Sequence, residues 1–238
     1  MDNHGVRKLL ILLAVLLVLV VAVVGLDIGG RAFAESKAGE TIATQTGTTA
    51  PDVTIHGFSF LAQAVPGHYS QITVHSTGLR IGPLTGIAAT VELYDVDFPL
   101  SDATKGDTSR LVAGSATVNG MLAATEVTRA IGRPGTSISA GPNGAIRLSS
   151  TVSVAGRDIP VTGDLVASFD AGVLHLNATD LRAAGIALPN TADLTKDFSL
   201  TLPLTGLPLQ VDAATLTSSG TDLLLTANAT NVRLGAIG

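Results

Sequence analysis

The sequence predicts an α+β, β-rich protein in which one N-terminal apolar helix precedes a single domain that occupies the rest of the 238 residues. Leu9 to Leu26 form a continuous apolar run of helical length. From residue 52 onward, apolar residues recur with a period of two, and turns rich in Gly and Asn separate the runs. Neither a low-complexity linker nor an internal repeat divides this part, which indicates one β-rich domain.

The composition restricts the core and the function. Hydrophobic residues make up 46% of the chain but aromatic residues only 3%, so the core must consist mainly of aliphatic side chains. The net charge of −5 argues against nucleic acid as a partner and against electrostatic adhesion to anionic lipid. The absence of cysteine excludes disulfides, cysteine-based metal sites and thiol catalysis. Any lipid binding would therefore depend on apolar burial.

The apolar run predicts a membrane anchor. Its 18 residues, Leu9 to Leu26, would span about 27 Å as a helix, close to the hydrocarbon thickness of a bilayer. Arg7 and Lys8 precede the run and Asp27 follows it, so the positive-inside rule places the N-terminus in the cytoplasm. We expect a single-pass protein of the cell membrane with a cytoplasmic N-terminus, a transmembrane anchor and an extracytoplasmic (periplasmic) domain: residues 1–8, 9–26 and 27–238.

A cleaved signal peptide is the alternative to an anchor. Ala32-Phe33-Ala34 matches the small-residue pattern of a signal peptidase site, and cleavage after Ala34 would give a secreted form. The apolar run is longer than a usual signal-peptide core, and the site lies eight residues beyond Leu26. Both points favour a retained anchor.

Three further helices are expected. Residues 27–46 carry a thin apolar stripe at four-residue spacing, but their three glycines each cost about 1 kcal/mol relative to Ala. Ala123 to Ile131 form a second helix that Gly132 should end. A short third helix is expected near Ala192 to Lys196. Because of its glycines, the helix over residues 27–46 needs support from the rest of the fold.

The alternating segments predict antiparallel strands joined by hairpins. Residues 87–93 alternate strictly, and the phase slips after Asp95, which suggests a β-bulge. Residues 146–154, 159–169 and 173–176 continue the pattern. The expected hairpin turns lie at residues 141–144, 156–158, 170–172 and 218–220.

Two stretches resemble the signatures of a known family. The first stretch runs from Val53 to Gln63 and continues through Gly67 to Val74. The second runs from Leu202 to Leu209 and is followed by related positions up to Leu234. They are similar to the signatures of the LmeA-like family, the actinobacterial lipomannan elongation factor A group, formerly a domain of unknown function. The spacing Asp27, Arg31, Glu35 also fits this family, whereas Ser59 and Ala62 replace its more usual Pro and Thr.

The resemblance implies an envelope protein that binds phospholipid, phosphatidylinositol among such lipids, and supports lipomannan elongation. It implies a long curved antiparallel sheet wrapped on one or two helices, like part of a tubular lipid-binding fold. The implied partners are phospholipid, the cytoplasmic membrane and envelope glycosyltransferases, with no nucleic acid and no cofactor. Acyl chains would lie in an apolar groove, where each buried methylene contributes about 0.8 kcal/mol.

The candidate lipid-binding residues are apolar. Phe58 and Phe60 lie two positions apart, so in an extended segment their rings would point to the same side. This aromatic pair would line a lipid groove, dip into a membrane surface or plug the end of the core, and the sequence leaves these interpretations open. If both signatures shape one cavity, they should meet in space. The predicted lipid-binding residues are Phe58, Phe60, Leu61, Tyr69, Leu93, Phe98, Leu207 and Leu209.

Catalytic chemistry finds little support in the sequence. Asp95 and Asp97 form a D-x-D pair within a strand pattern, where solvated edge carboxylates are the usual interpretation. No H-E-x-x-H, G-x-S-x-G or S-x-x-K motif and no phosphate-binding glycine loop occurs. We therefore expect a protein that is not an enzyme, without catalytic or metal-binding residues. The alternatives are an envelope enzyme or a scaffold acting on lipid-linked sugars.

Overall fold

The computed structural model describes residues 3–105, 107, 109–154, 156–170, 172–183, 186–187, 192–203 and 211–233; within them, the side chains of 3–16, 19, 45–46, 154, 187, 192–194 and 203 are not described. Five helices are described: α1 (Asn3–Thr46), α2 (Phe60–Ala64), α3 (Leu100–Ala103), α4 (Ala124–Ile131) and α5 (Ala192–Asp197). Twelve strands are described: β1 (Asp52–His56), β2 (His68–Ile81), β3 (Leu84–Asp97), β4 (Val112–Ala123), β5 (Ser137–Ala140), β6 (Ile146–Val154), β7 (Arg157–Asp170), β8 (Val173–Ala183), β9 (Ile186–Ala187), β10 (Leu200–Pro203), β11 (Ala213–Ser219) and β12 (Asp222–Arg233).

The described strands form two antiparallel sheets. In the first sheet the strand order is β1-β2-β3-β4-β12-β11, and in the second it is β10-β8-β7-β6-β5, with β9 paired to β8. The β-rich α+β class is confirmed, but the prediction of one long sheet is wrong. The chain leaves the first sheet after β4, builds the second sheet from hairpins, and returns as β11 and β12. Because β12 pairs with β4 across about a hundred residues, no local pattern could reveal this division.

One face of the first sheet is apolar along most of its length. Paired residues of β3, β4 and β12 form successive rows on this face, and most of these side chains are small. The rows are Ala89–Gly120–Leu225, Val91–Val118–Ala227 and Leu93–Ala116–Ala229.

The first sheet shares its apolar face between two cores. The inter-sheet core lies between the two sheets and α4, and it includes Val127, Leu176 and Phe198, each with no exposed surface. The helix-side core lies at the opposite end of the first sheet, where α2 and part of α1 cover residues such as Val96 and Ala113. Each core thus has different covering elements.

The predicted change of phase after Asp95 is present, but no residue is inserted there, so the suggested β-bulge is wrong. Leu93 and Val96 are consecutive buried residues of β3. Their odd spacing means that the alternation of buried and exposed side chains changes phase between them. The pairing of β3 with both β2 and β4 keeps the same register on either side of Asp95. Asp95 instead adopts a left-handed conformation (φ 51°). This one residue turns the following side chains to the other face without a shift in register.

Helix α1 is continuous from Asn3 to Thr46, so the helix predicted over 27–46 is confirmed as its C-terminal half. Among the residues whose side chains the structure describes, no helix is both long enough and apolar enough to cross a membrane. The predicted anchor, residues 9–26, lies in this helix, and the side chains of 9–16 and 19 are outside the described part.

The other predicted helices and turns are present. Helix α4 starts at Ala124, one residue later than expected, and ends at Gly132, which adopts the left-handed conformation (φ 69°) of a helix C-cap. The short helix near Ala192 is α5. The expected turns join β5 to β6, β6 to β7, β7 to β8 and β11 to β12. Local chemistry therefore located these elements correctly.

Candidate functional site

The polar face of α1 is bound to the loop that follows β1. The Asp27 carboxylate accepts hydrogen bonds from the backbone N–H of Leu61 and from the Ser59 hydroxyl, each at 2.7 Å. The Leu61 N–H, followed by the Phe60 N–H and the Ser59 hydroxyl, lowers the pKa of Asp27 below its usual range. Arg31 Nη2 donates to the Gly57 carbonyl oxygen at 2.9 Å. The helix thus holds residues 57–61 by charge-assisted hydrogen bonds.

A third charged residue extends this attachment along the helix. The Glu35 carboxylate accepts a hydrogen bond from the backbone N–H of Ile55 at 2.7 Å. Asp27, Arg31 and Glu35 are spaced four apart and therefore lie on one face of α1. From the sequence, this spacing was recognised only as part of the family resemblance. The regular spacing of charges was the signal that could have identified the docking face.

The Gln63 side chain forms hydrogen bonds with several other residues of the first signature. Its side-chain amide donates to the carbonyl oxygens of His56 (3.0 Å) and Ser59 (3.1 Å). Its side-chain oxygen accepts from the backbone N–H of Ser70 (2.9 Å) and from the Ser70 hydroxyl (3.2 Å). Gly57 has φ +124°, and a Cβ there would lie 2.4 Å from the Gln63 amide nitrogen. The signature therefore encodes a tightly built turn.

The aromatic pair does not share one face, so this prediction is wrong. Ser59 is extended and caps α2 by accepting a hydrogen bond from the Ala62 N–H, which makes Phe60 the first helical residue. Phe60 is buried in the helix-side core, where its ring centroid lies 6.5 Å from that of Tyr69. Phe58 is fully exposed, at 104%. The helix start between the two residues separates their directions.

The other predicted lipid-binding residues lie mainly in the helix-side core. Tyr69 and Leu93 are buried there, and Leu61 and Phe98 are partly buried against it. Burial raises the pKa of the Tyr69 phenol. Leu207 and Leu209 lie outside the described residues, so the expected meeting of the two signatures stays a prediction. Strand β10, which leads into the second signature, belongs to the second sheet.

An apolar cavity lies within the inter-sheet core. Its volume is about 20 Å³, which is room for about one water molecule. Gly120 lines it, because a glycine in the middle of β4 leaves space between Ile87 and Leu225. The lining has no polar side chain: Ile81, Leu84, Ile87, Gly120, Leu122, Val127, Leu174, Leu176, Leu202, Leu216 and Leu225.

A larger open cleft lies beside this cavity, where β11 of the first sheet contacts β7 of the second. Its volume is about 440 Å³, and it is lined by both apolar and polar residues, among them Leu165, Asp164 and Thr179. Leu216 lines the cavity and the cleft alike, so it separates the two spaces. The Ser218 hydroxyl donates to the Ala145 carbonyl oxygen at 2.7 Å and links the sheets nearby.

Neither space was predicted from the sequence. The lining residues come from nine strands, α4 and the turn before β6, and none of these side chains departs from the pattern of its own element. The only local signal was Gly120, a glycine inside an otherwise regular strand pattern.

The D-x-D carboxylates lie on the surface. Asp95 and Asp97 are both exposed, and the Asp97 carboxylate contacts His68 Nδ1 at 2.7 Å. Within the described residues, no three His, Cys, Asp or Glu side chains are placed to hold a metal ion.

The described part of the chain is thus a β-rich domain with a small apolar cavity and an open cleft of mixed polarity beside it. A family model described as LmeA-like phospholipid-binding matches residues 25–228 of this chain. The chain belongs to this family, which confirms the resemblance found in its signatures. Comparisons with curated proteins and with solved structures find no match. The apolar run up to residue 24 lies before the matched region.

Proposed function

We propose that this protein is a non-enzymatic phospholipid-binding protein of the cell envelope that holds acyl chains between its two sheets. The observation that carries the proposal is the apolar cavity around Gly120, which Leu216 separates from the amphipathic cleft. Membership of a phospholipid-binding family supports the ligand class. The acyl chains would occupy the apolar interior, and the polar headgroup would remain in the cleft.

Binding would require the sheets to move apart. A cavity of about 20 Å³ is far smaller than an acyl chain, whereas the cleft of about 440 Å³ is large enough for part of one. The Ser218–Ala145 bond is a neutral hydrogen bond that links the sheets at that side. Such a bond contributes about 0.5–1.5 kcal/mol, so burying one or two methylenes would offset its loss.

The cellular role that we propose is support of lipomannan elongation from the outer face of the cytoplasmic membrane. A phosphatidylinositol-type lipid is the proposed ligand, and envelope glycosyltransferases are the proposed partners. The 18-residue apolar run preceded by Arg7 and Lys8 supports an anchor that keeps the domain within reach of this lipid.

The test fills the space around Gly120. A Cβ at Gly120 would make ordinary contacts with Leu225 (3.6 Å) and Ile87 (3.8 Å), so Gly120→Val adds volume without a backbone clash. We expect Gly120→Val to lower bound phospholipid per protein severalfold. Its γ-methyl groups overpack the buried site, which should cost about 1–3 kcal/mol of stability while the chain still folds, as thermal unfolding would verify. Lipid is measured by extraction and mass spectrometry of the purified full chain.

Met121→Val is the matched control. Met121 is the next residue of β4, lies on the opposite face of the sheet, and is half-exposed. The Met121→Val variant should retain the lipid content of the unmodified chain. If folded Gly120→Val retains the same phospholipid, the ligand does not occupy the inter-sheet space. Shorter lipomannan in cells carrying Gly120→Val would support the cellular part of the proposal.

A further inference from the structure

The most exposed aromatic residue of the described chain is held in a built loop. Phe58 is fully exposed in the described part of the chain, yet both of its neighbours are fixed: the Gly57 carbonyl accepts a hydrogen bond from Arg31, and the Ser59 hydroxyl donates to Asp27. The Ser59 cap and the Gln63 hydrogen bonds stiffen the same turn. A large apolar ring on a rigid projection is costly in water and suits insertion into an apolar phase.

The position of the Phe58 loop along α1 indicates which apolar phase the ring would enter. Asp27 is the first residue after the apolar run, and Arg31 lies about 6 Å further along the helix axis. The loop is hydrogen-bonded to these two residues, so Phe58 lies at the level where the proposed transmembrane segment ends. If residues 9–26 cross the bilayer, this level is its outer surface.

Other exposed apolar side chains lie at the same end of the domain. Ile28 and Phe33 on α1 are mostly exposed, at 64% and 72%, and Val65 next to α2 is exposed at 78%. Helix α2 contacts α1, so these residues lie on or next to the two helices that meet beside the Phe58 loop. Apolar and aromatic side chains with this placement are typical of segments that lie in the membrane interface.

We propose that the Phe58 loop inserts into the outer leaflet at the boundary between headgroups and acyl chains. This contact rests on the proposed anchor and adds a second point of attachment. Because α1 is continuous and bonded to the domain, one transmembrane segment leaves the domain free to tilt and rotate together with this helix, whereas the loop would fix the helix-side core against the bilayer. The net charge of −5 means that this contact depends on apolar insertion and needs no anionic lipid.

The absence of tryptophan from the chain provides a direct probe. Phe58→Trp introduces a single indole at a fully exposed position, so the fold should be retained, as thermal unfolding would verify. The full chain is reconstituted in phosphatidylcholine vesicles. We expect a blue-shifted emission, strong quenching by lipids brominated near the headgroup end of the acyl chain, and weak quenching by aqueous acrylamide.

Ile186→Trp is the matched control. Ile186 is an exposed apolar residue of β9 in the second sheet, away from the helix-side core and outside the cleft. Its indole should emit as in water and be quenched by acrylamide but not by brominated lipid. The same behaviour from Phe58→Trp would overturn the insertion of the loop. Flotation with vesicles after an alkaline wash tests the anchor separately: if it is retained, only the loop proposal has failed, whereas its loss would overturn both.

Discussion

At the scale of single residues, Gln63 shows why the first signature is specific. One side chain bonds backbone groups of β1, the loop before α2 and β2, and it is partly buried. When the Gln63 side chain is removed, these backbone groups cannot all form hydrogen bonds with water. The loss of stability therefore exceeds that from losing one exposed hydrogen bond. The signature residue therefore stabilises a turn, and Phe58 projects from that turn.

Gln63→Ala should lower the free energy of unfolding by about 1–3 kcal/mol, the usual cost of leaving buried polar groups unpaired. Gln71→Ala is the control, since Gln71 lies nearby in β2 and makes no side-chain hydrogen bond within the described part of the chain. Denaturant unfolding measures both variants. Equal losses for the two would show that the network around Gln63 adds nothing to stability.

At the scale of elements, α1 uses its glycines for close packing. Because glycine lowers helix propensity, the sequence predicts that the helix over residues 27–46 needs support from the rest of the fold. The structure supplies this support. A Cβ at Gly30 would lie 3.3 Å from the Phe60 ring, and one at Gly39 would lie 2.6 Å from the Pro51 carbonyl oxygen. Gly29 has no atom within 4 Å of a built Cβ. Only two of the three glycines are therefore required by packing.

Gly29→Ala and Gly39→Ala should have opposite effects on thermal unfolding. At Gly29 the added methyl meets nothing and raises helix propensity, which should stabilise the protein by about 0.5–1 kcal/mol. At Gly39 the methyl clashes with rigid backbone, so α1 must shift away from the segment before β1 and the protein should be destabilised. Stabilisation by both changes would mean that α1 does not pack as closely as described.

At the scale of the whole molecule, α4 connects the two sheets. It contacts β3 and β4 of the first sheet and β5 of the second. The Thr85 hydroxyl donates to the Glu126 carboxylate at 2.7 Å, and Arg129 pairs with the same carboxylate. The Arg129 guanidinium, followed by the Thr85 hydroxyl, lowers the pKa of Glu126 from its usual 4.5 to about 2. This polar cluster attaches α4 to the start of β3.

The pH dependence of unfolding should reveal this attachment. Because the pKa of Glu126 is lower in the folded state, its stabilising contribution is complete above pH 4.5 and is lost as the pH falls towards 2. The lowered pKa of Asp27 acts in the same direction. Glu126→Gln should flatten the decline in stability between pH 5 and 2, and Thr85→Val should have an intermediate slope. An unchanged slope in Glu126→Gln would contradict this assignment.

The sequence by itself determined the elements that depend on neighbouring residues. The apolar period of two identified most strands, Gly132 marked the end of α4, and glycine-containing turns located the hairpins, since all of these follow from local backbone and side-chain preferences. The two signatures also identified the family. Even the change of face after Asp95 was visible as a slip of phase, although its cause, a left-handed residue, was not.

Only the tertiary structure decided how distant segments combine. The pairing of β4 with β12 divides the strands between two sheets, and the apolar cavity and the cleft exist because those sheets face each other. The start of α2 sends Phe60 into the core and Phe58 into solvent, because Ser59 finds Asp27 on a distant helix. These outcomes depend on contacts between residues far apart in the chain, and the alternation of apolar and polar residues carries no information about such partners.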